Sequence, residues 1–152
     1  MIRIDFPPYQ PAIRKENNKE QLFDAFRKRW VALTPEEWVR QNWLRYLTQV
    51  QQFPAPLIAV EKTIMLGELS KRFDIVVYNT RSQPFLIIEC KAMDVALDAA
   101  VLDQVLRYNS RLQVPYLAIS NGHYCFAFQQ QEGQLTELAE FPSVASPGFA
   151  AP

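Results

Sequence analysis

An α/β domain with a mixed central sheet flanked by helices is the fold class that three features of the chain predict. A helix-period stretch begins at a strong start signal around Thr34. Two short, almost wholly apolar runs, at 73–78 and 85–91, are separated by a brief polar linker. A second helix-period stretch is then followed by two strand-like runs on either side of Asn121-Gly122. At 152 residues the chain has the length of one domain, large enough to bury a core without disulfide or metal staples.

Taken in order, residues 1–19 are expected to be an extended N-terminal segment, set by Pro7, Pro8 and Pro11 and followed by charged residues. Residues 20–30 put Leu22, Phe23, Phe26 and Trp30 at helical spacing, and the triplet Arg27-Lys28-Arg29 reads as a solvated helix face. Thr34-Pro35-Glu36-Glu37 combines an N-cap, a proline at the first helical position and a glutamate three residues after the cap, which completes a capping box. The helix should run over 37–51, burying Val39, Trp43, Leu47 and Val50, and stop at Pro54 and Pro56. Residues 57–65 read as a strand ending at Gly67. Strands at 73–78 and 85–91 form a hairpin about the linker 79–84. Asp94 is expected to cap a second helix over 95–112. Strands at 114–120 and 124–128 flank the Asn-Gly turn. Residues 142–152 read as a flexible tail. The resulting order is α-β-β-β-α-β-β.

Composition removes several function classes. Lys+Arg and Asp+Glu are equal at 16 each, so no global positive field announces a nucleic-acid binder, and phosphate contacts would need a local patch. No apolar run approaches the roughly 20 residues that span a bilayer. The N-terminus lacks an apolar leader core, so a cytoplasmic location without membrane contact is expected. The single histidine, His123, leaves no partner for a His-based metal site, and Cys90 and Cys125 lack metal or redox spacing. None of the four glycines lies in a phosphate-binding loop of the P-loop type.

Two strands break the rule for buried runs. Glu89 and Lys91 sit on an otherwise apolar strand, and Asp74 sits on its neighbour; unpaired charges cannot be buried cheaply, so they must be paired, metal-bound or at an open strand end. Counting outward from the 79–84 turn puts Asp74 close to Glu89. Two converging carboxylates repel unless a cation lies between them, and an oxygen-only donor set suits Mg²⁺ or Mn²⁺. A lysine beside them suits metal-assisted phosphodiester hydrolysis. A structural Asp/Glu–Lys network at a sheet edge is the alternative. Lys71 and Arg72 before Asp74, with Arg107 and Arg111 on the second helix, offer a local basic rim that would hold phosphates without reading bases. Gln104 and Tyr108 lie four apart, on one helix face.

Asp74, fourteen intervening residues, then Glu89-Cys90-Lys91 resembles the D…(D/E)-x-K signature of the PD-(D/E)XK nuclease superfamily. The runs TPEEWVRQ, KRFDIVVY, PFLIIECKA and LDQVLRYN resemble the N-terminal nuclease domain of type I restriction enzyme R subunits, over about residues 20–130. The resemblance implies a restriction-endonuclease-like core in a nuclease-like domain over 20–141, acting as a Mg²⁺- or Mn²⁺-dependent DNA endonuclease. It implies that Asp74, Glu89 and the Cys90 backbone carbonyl bind the metal and that Lys91 is the catalytic lysine. A glutamate from the first core helix is often added; Glu37 is favoured, Glu36 being given to the cap, with Glu61 an alternative that would otherwise pair with Lys62 or a helix residue. Gln104 and Tyr108 match the Q-x-x-x-Y motif associated with DNA handling, the alternative being a buried tyrosine with a glutamine bonding nearby. Two departures stand out: Phe73 replaces the proline of the signature, and the chain has no room for the translocase that follows in R subunits. The alternative function is therefore a non-catalytic or partner-dependent DNA-binding module of a restriction or repair complex, working with a separate motor subunit. A homodimer is compatible with the superfamily but not decided by the chain.

Overall fold

The structure is a computed structural model that describes residues 1–109 and 112–150, with the side chains of Leu66, Tyr108 and Asn109 left aside. Among the described residues, strands β1 (Ile2–Arg3), β5 (Ile58–Leu66), β6 (Leu69–Tyr78), β7 (Pro84–Cys90), β8 (Tyr116–Ser120), β9 (Tyr124–Gln131) and β10 (Gln134–Glu137) form one sheet. Its order is β1-β9-β8-β7-β6-β5, with β10 on the other part of β9. β7 and β8 are parallel and the other pairs antiparallel, so the sheet is mixed. The parallel pair requires a crossover, which helix α2 (Ala99–Asn109) supplies. A smaller antiparallel sheet, β2 (Ile13–Glu16), β3 (Lys19–Asp24) and β4 (Arg29–Ala32), precedes helix α1 (Pro35–Arg45). The α/β class and the mixed sheet are as the sequence predicts.

The two helices cover opposite faces of the large sheet. α1 brings Val39, Trp43 and Leu44 onto Ile75, Val77, Leu86 and Ile88 in one core cluster. α2 brings Val105 into a second cluster with Phe73, Val76, Ile87, Leu117 and Ile119. β6 and β7 are covered on both sides, which explains their nearly continuous apolar runs. No helix is long and apolar enough to cross a membrane among the described residues.

The start of α1 forms as its local chemistry requires. Thr34 has extended backbone angles, and its hydroxyl accepts the Glu37 N–H at 3.0 Å. The glutamate three residues beyond the cap is thus Glu37, not Glu36, and only half of the capping box forms because the Glu37 carboxylate is held by arginines instead. Thr34→Ala is expected to cost about 1 kcal/mol. A lower urea midpoint reads it, and Thr34→Ser should recover most of the loss. The last turn widens into a π-helical segment, Tyr46–Val50, where Gln51 N–H reaches the Tyr46 carbonyl at 3.0 Å. Val50, expected on the buried face, is exposed there.

Three other expectations are corrected. Residues 20–30 are not helical: β3 pairs with β2 and β4, and the turn between β3 and β4 is held by Asp24, whose buried carboxylate accepts the N–H groups of Phe26 and Arg27 at 2.8 and 3.3 Å. Such an aspartate turn gives the backbone an alternative to helix. The second helix starts later than expected, because Asp98 rather than Asp94 accepts the Val101 N–H, at 3.0 Å. The expected flexible tail is docked through Phe149, which packs on Phe53 and Phe85 with ring centroids 5.4 and 5.3 Å away. Thr80 N–H and the Asn79 side-chain amide bind the Phe149 and Gly148 carbonyls at 3.0 and 3.1 Å.

Candidate active site at the ends of β6 and β7

The β6–β7 hairpin turns through Asn79, whose side-chain oxygen accepts the Arg81 and Gln83 N–H groups at 2.9 and 3.0 Å. Its ladder runs from Tyr78↔Pro84 to Ile75↔Ile88 and no further. Beyond Ile75 and Ile88, side chains take over the bonding. Asp74 N–H donates to Glu89 Oε1 at 3.3 Å, and Cys90 N–H donates to Asp74 Oδ2 at 2.8 Å. Each carboxylate thus occupies a donor on the opposite strand, which is how the hairpin ends without orphaned N–H groups. The proximity of Asp74 and Glu89 expected from the hairpin is borne out by the register.

Burial and the charge of Asp74 push the Glu89 carboxyl up to about 7, against the partial relief of Lys71 and Lys91. The buried Cys90 thiol is likewise pushed up by burial and by Asp74. Lys91 anchors its strand end by donating its N–H to the Ser120 carbonyl at 2.7 Å. The charge of Lys91 acts on both Glu36 and Glu89. Glu36 is raised by burial and by Asp74.

The residue the sequence reading missed is Arg40. α1 drives its guanidinium into the sheet end, where Nη2 meets Asp74 Oδ1 at 2.7 Å and Nη1 meets Glu37 Oε1 at 2.8 Å. Glu37 Oε1 also receives Arg27 Nη2 at 2.6 Å, and its Oε2 receives the Gln41 amide at 3.3 Å. Glu37 therefore joins the site through Arg40 rather than by facing Asp74 alone. Arg27, expected on a solvated face, is instead drawn in between Asp24, Glu37 and Glu61, with its side chain only 12% exposed. Its short spacing from Asp24 gave no sign of this, because Glu37 and Glu61 lie 10 and 34 residues further on and are brought to it only by the fold.

Glu61 lies opposite Asp74 in β5, between the Val60↔Ile75 and Lys62↔Phe73 pairs, with a left-handed φ of 52°. That conformation is strained for a non-glycine residue. It coincides with a carboxylate bound by Arg72 Nη2 at 2.6 Å and Arg27 Nη1 at 3.0 Å, with Arg29 Nη2 at 3.9 Å. Burial works against ionisation of Glu61, but the Arg72 hydrogen bond and the charges of Arg40 and Arg27 outweigh it and lower its pKa. Of the expected alternative partners, Lys62 gives way, whereas a helix residue does take part: Arg40 of α1 stands 3.6 Å from Glu61 Oε1, beside the arginines of the small sheet and β6.

On the basic rim, Arg72 is 62% exposed, and the Lys71 ammonium lies 4.8 Å from the Phe73 ring centre. Gln104 and Arg107 are on the exposed side of α2, over the sheet face opposite α1, whereas Asp74 is gripped from the α1 side. The Tyr108 side chain and Arg111 lie outside the described residues. A cleft of about 500 Å³ opens beside the first turn of α1, lined by Leu33, Thr34, Pro35, Trp38, Met93 and Asp94; Asp74 and Glu89 are not in its lining.

Among the described residues, no group of three or more His, Cys, Asp or Glu side chains is set to hold a metal. The donors available to a cation are therefore Asp74 and Glu89, with backbone oxygens beside them. Their chemistry fits a hard divalent ion, since both are carboxylates brought together at one strand end.

Fold and site together define an α/β domain with a cluster of acidic and basic groups at one end of adjacent strands of a mixed sheet. The family model for the type I restriction enzyme R protein N terminus (HSDR_N) matches residues 35–142, which contain α1, the whole β5–β9 unit and the carboxylates. The chain belongs to that family. The small sheet that supplies Asp24, Arg27 and Arg29 precedes the matched region. No curated protein matches the chain.

Proposed function

We propose that this domain is a Mg²⁺- or Mn²⁺-dependent deoxyribonuclease domain with the restriction-endonuclease-like core of the PD-(D/E)XK superfamily, hydrolysing DNA phosphodiester bonds. The observation that carries the reading is the Asp74–Glu89 clasp at the end of the β6–β7 ladder, with Lys91 two residues after Glu89, just past the end of β7. Membership in a restriction-enzyme family supports DNA as the substrate and a restriction complex as the setting.

Asp74, Glu89 and the Cys90 carbonyl would hold the ion. When bound, it supplies Lewis-acid polarisation and lowers the pKa of water beside the scissile phosphate. Glu89 must be ionised to serve, and the charges of Lys71 and Lys91 favour that state. Lys91 offsets negative charge on the phosphoryl oxygens as the bond to the leaving oxygen breaks. Arg72 and Lys71 contact backbone phosphates and hold the strand without reading sequence. Gln104, Tyr108, Arg107 and Arg111 would serve the path of the DNA beyond the reacting phosphate.

The test is cleavage of supercoiled, linear and single-stranded DNA with Mn²⁺ or Mg²⁺ by wild type and Lys91→Ala, side by side. Wild-type cleavage that falls by roughly 10²–10⁴-fold in the variant, with an unchanged melting temperature, is the expected result. Equal cleavage by both proteins would overturn the assignment of Lys91 and the site with it.

One observation favours a second reading, a non-catalytic or partner-dependent DNA-binding module. Arg40 already neutralises Asp74 through a buried ion pair. On that reading neither protein cleaves, DNA is retained, and millimolar Mg²⁺ or Mn²⁺ gives no thermal stabilisation.

A further inference from the structure

Arg40 is held in a position with alternatives built around it. Its side chain is nine-tenths buried or more, and its guanidinium bridges Asp74 Oδ1 at 2.7 Å and Glu37 Oε1 at 2.8 Å. Two more carboxylate oxygens, Glu36 Oε1 and Glu61 Oε1, stand 3.6 Å from it, just beyond hydrogen-bond range. Its Nε is buried with no hydrogen-bond partner among the described residues. The guanidinium thus has an unused donor and two further carboxylate oxygens within 3.6 Å. Arg27 independently holds Glu37 and Glu61, so those two carboxylates keep a cationic partner whatever Arg40 does, and Glu36 is next to Glu37 on the same helix.

A buried arginine can leave one carboxylate only if others receive it, since an uncompensated buried charge is strongly unfavourable. Here the receivers are in place. We propose that Arg40 and a divalent cation compete for Asp74: without the ion the guanidinium neutralises Asp74, and when an ion enters it withdraws to Glu36 and Glu61. Arg40 is on this account a positioning residue that keeps the acidic strand end folded in the absence of metal and sets the concentration at which metal enters. The inference rests on the metal-dependent reading of Asp74 and Glu89.

The test measures Mn²⁺ affinity of the full chain by calorimetry for wild type, Arg40→Gln and Arg40→Lys, alongside arginine side-chain ¹⁵N spectra of the wild type during Mg²⁺ addition. Arg40→Gln removes the competitor and should bind Mn²⁺ about 10- to 100-fold more tightly. Arg40→Lys, a point charge unable to bridge Glu37 and Asp74 together, should fall between the two. The wild-type Arg40 Nε–H resonance should shift as the ion binds. Should Arg40→Gln fail to fold, the lysine variant and the resonance decide the question. Equal affinity in wild type and the folded variants, with an unmoved resonance, overturns the competition and leaves the metal site standing. No binding by wild type or any folded variant overturns the metal reading, and the competition falls with it.

Discussion

Arg27→Met is expected to destabilise the protein by about 3–5 kcal/mol, the cost of breaking a buried ion network by removing one partner. Arg27 is 12% exposed and bonds Asp24, which is fully buried, together with Glu37 and Glu61. Without it, Asp24 keeps only the Phe26 and Arg27 backbone N–H groups, and Glu37 keeps Arg40 and Gln41. Against a typical total of roughly 5–15 kcal/mol, the loss would leave the folded state marginal at best. Urea denaturation at neutral pH measures it. Arg27→Lys should recover only part, because one ammonium cannot reach three carboxylates that the guanidinium fork spans. A loss below about 1 kcal/mol for the methionine variant would mean that the network is solvated and the small sheet is not needed to hold the site.

Glu89 should make stability fall as pH rises from about 4.5 to about 7. Its carboxyl is raised to about 7 in the folded protein from an ordinary 4.5, by burial first and the Asp74 charge second. Between those values the folded state keeps a proton that the unfolded chain has released. The proton number of the unfolded state is then the smaller, so the slope of stability with pH is negative across that window and flat above it. The full effect is on the order of 3 kcal/mol, at 1.36 kcal/mol per unit. Glu89→Gln keeps the shape and removes the titration, so it should flatten that part of the profile and be more stable than wild type at pH 8. Urea midpoints of both proteins at pH 5, 6, 7 and 8 check this. Parallel profiles would show that Glu89 ionises normally and that its carboxylate is not confined against Asp74.

Much of the site was legible because it is set by short-range rules. Alternation along β7 and a hairpin turn between 79 and 84 suffice to place Asp74 by Glu89, whatever the rest of the molecule does. Thr34-Pro35 likewise starts α1 through bonds within four residues. Residues 20–30 misled for the same reason in reverse. Leu22, Phe23, Phe26 and Trp30 satisfy a helical period, but Asp24 binds the next backbone N–H groups and turns the chain, and β3 finds partners on both sides. The docking of Phe149 was equally invisible, since its pocket between Phe53 and Phe85 is assembled from segments far apart in the chain.

The sequence by itself determined the α/β class, the two helices, the β6–β7 hairpin and the pair of acids that closes it, because each follows from periodicity, capping or register over a few residues. Only the tertiary structure decided that Arg40 grips Asp74, that Arg27 is paired with Asp24, Glu37 and Glu61, and that Glu61 stands opposite Asp74. A charged side chain on a helix or turn looks solvated in sequence. Which carboxylate it meets depends on how α1 lies on the large sheet and where the small sheet brings its turn, and buried charges find their partners only once both are packed.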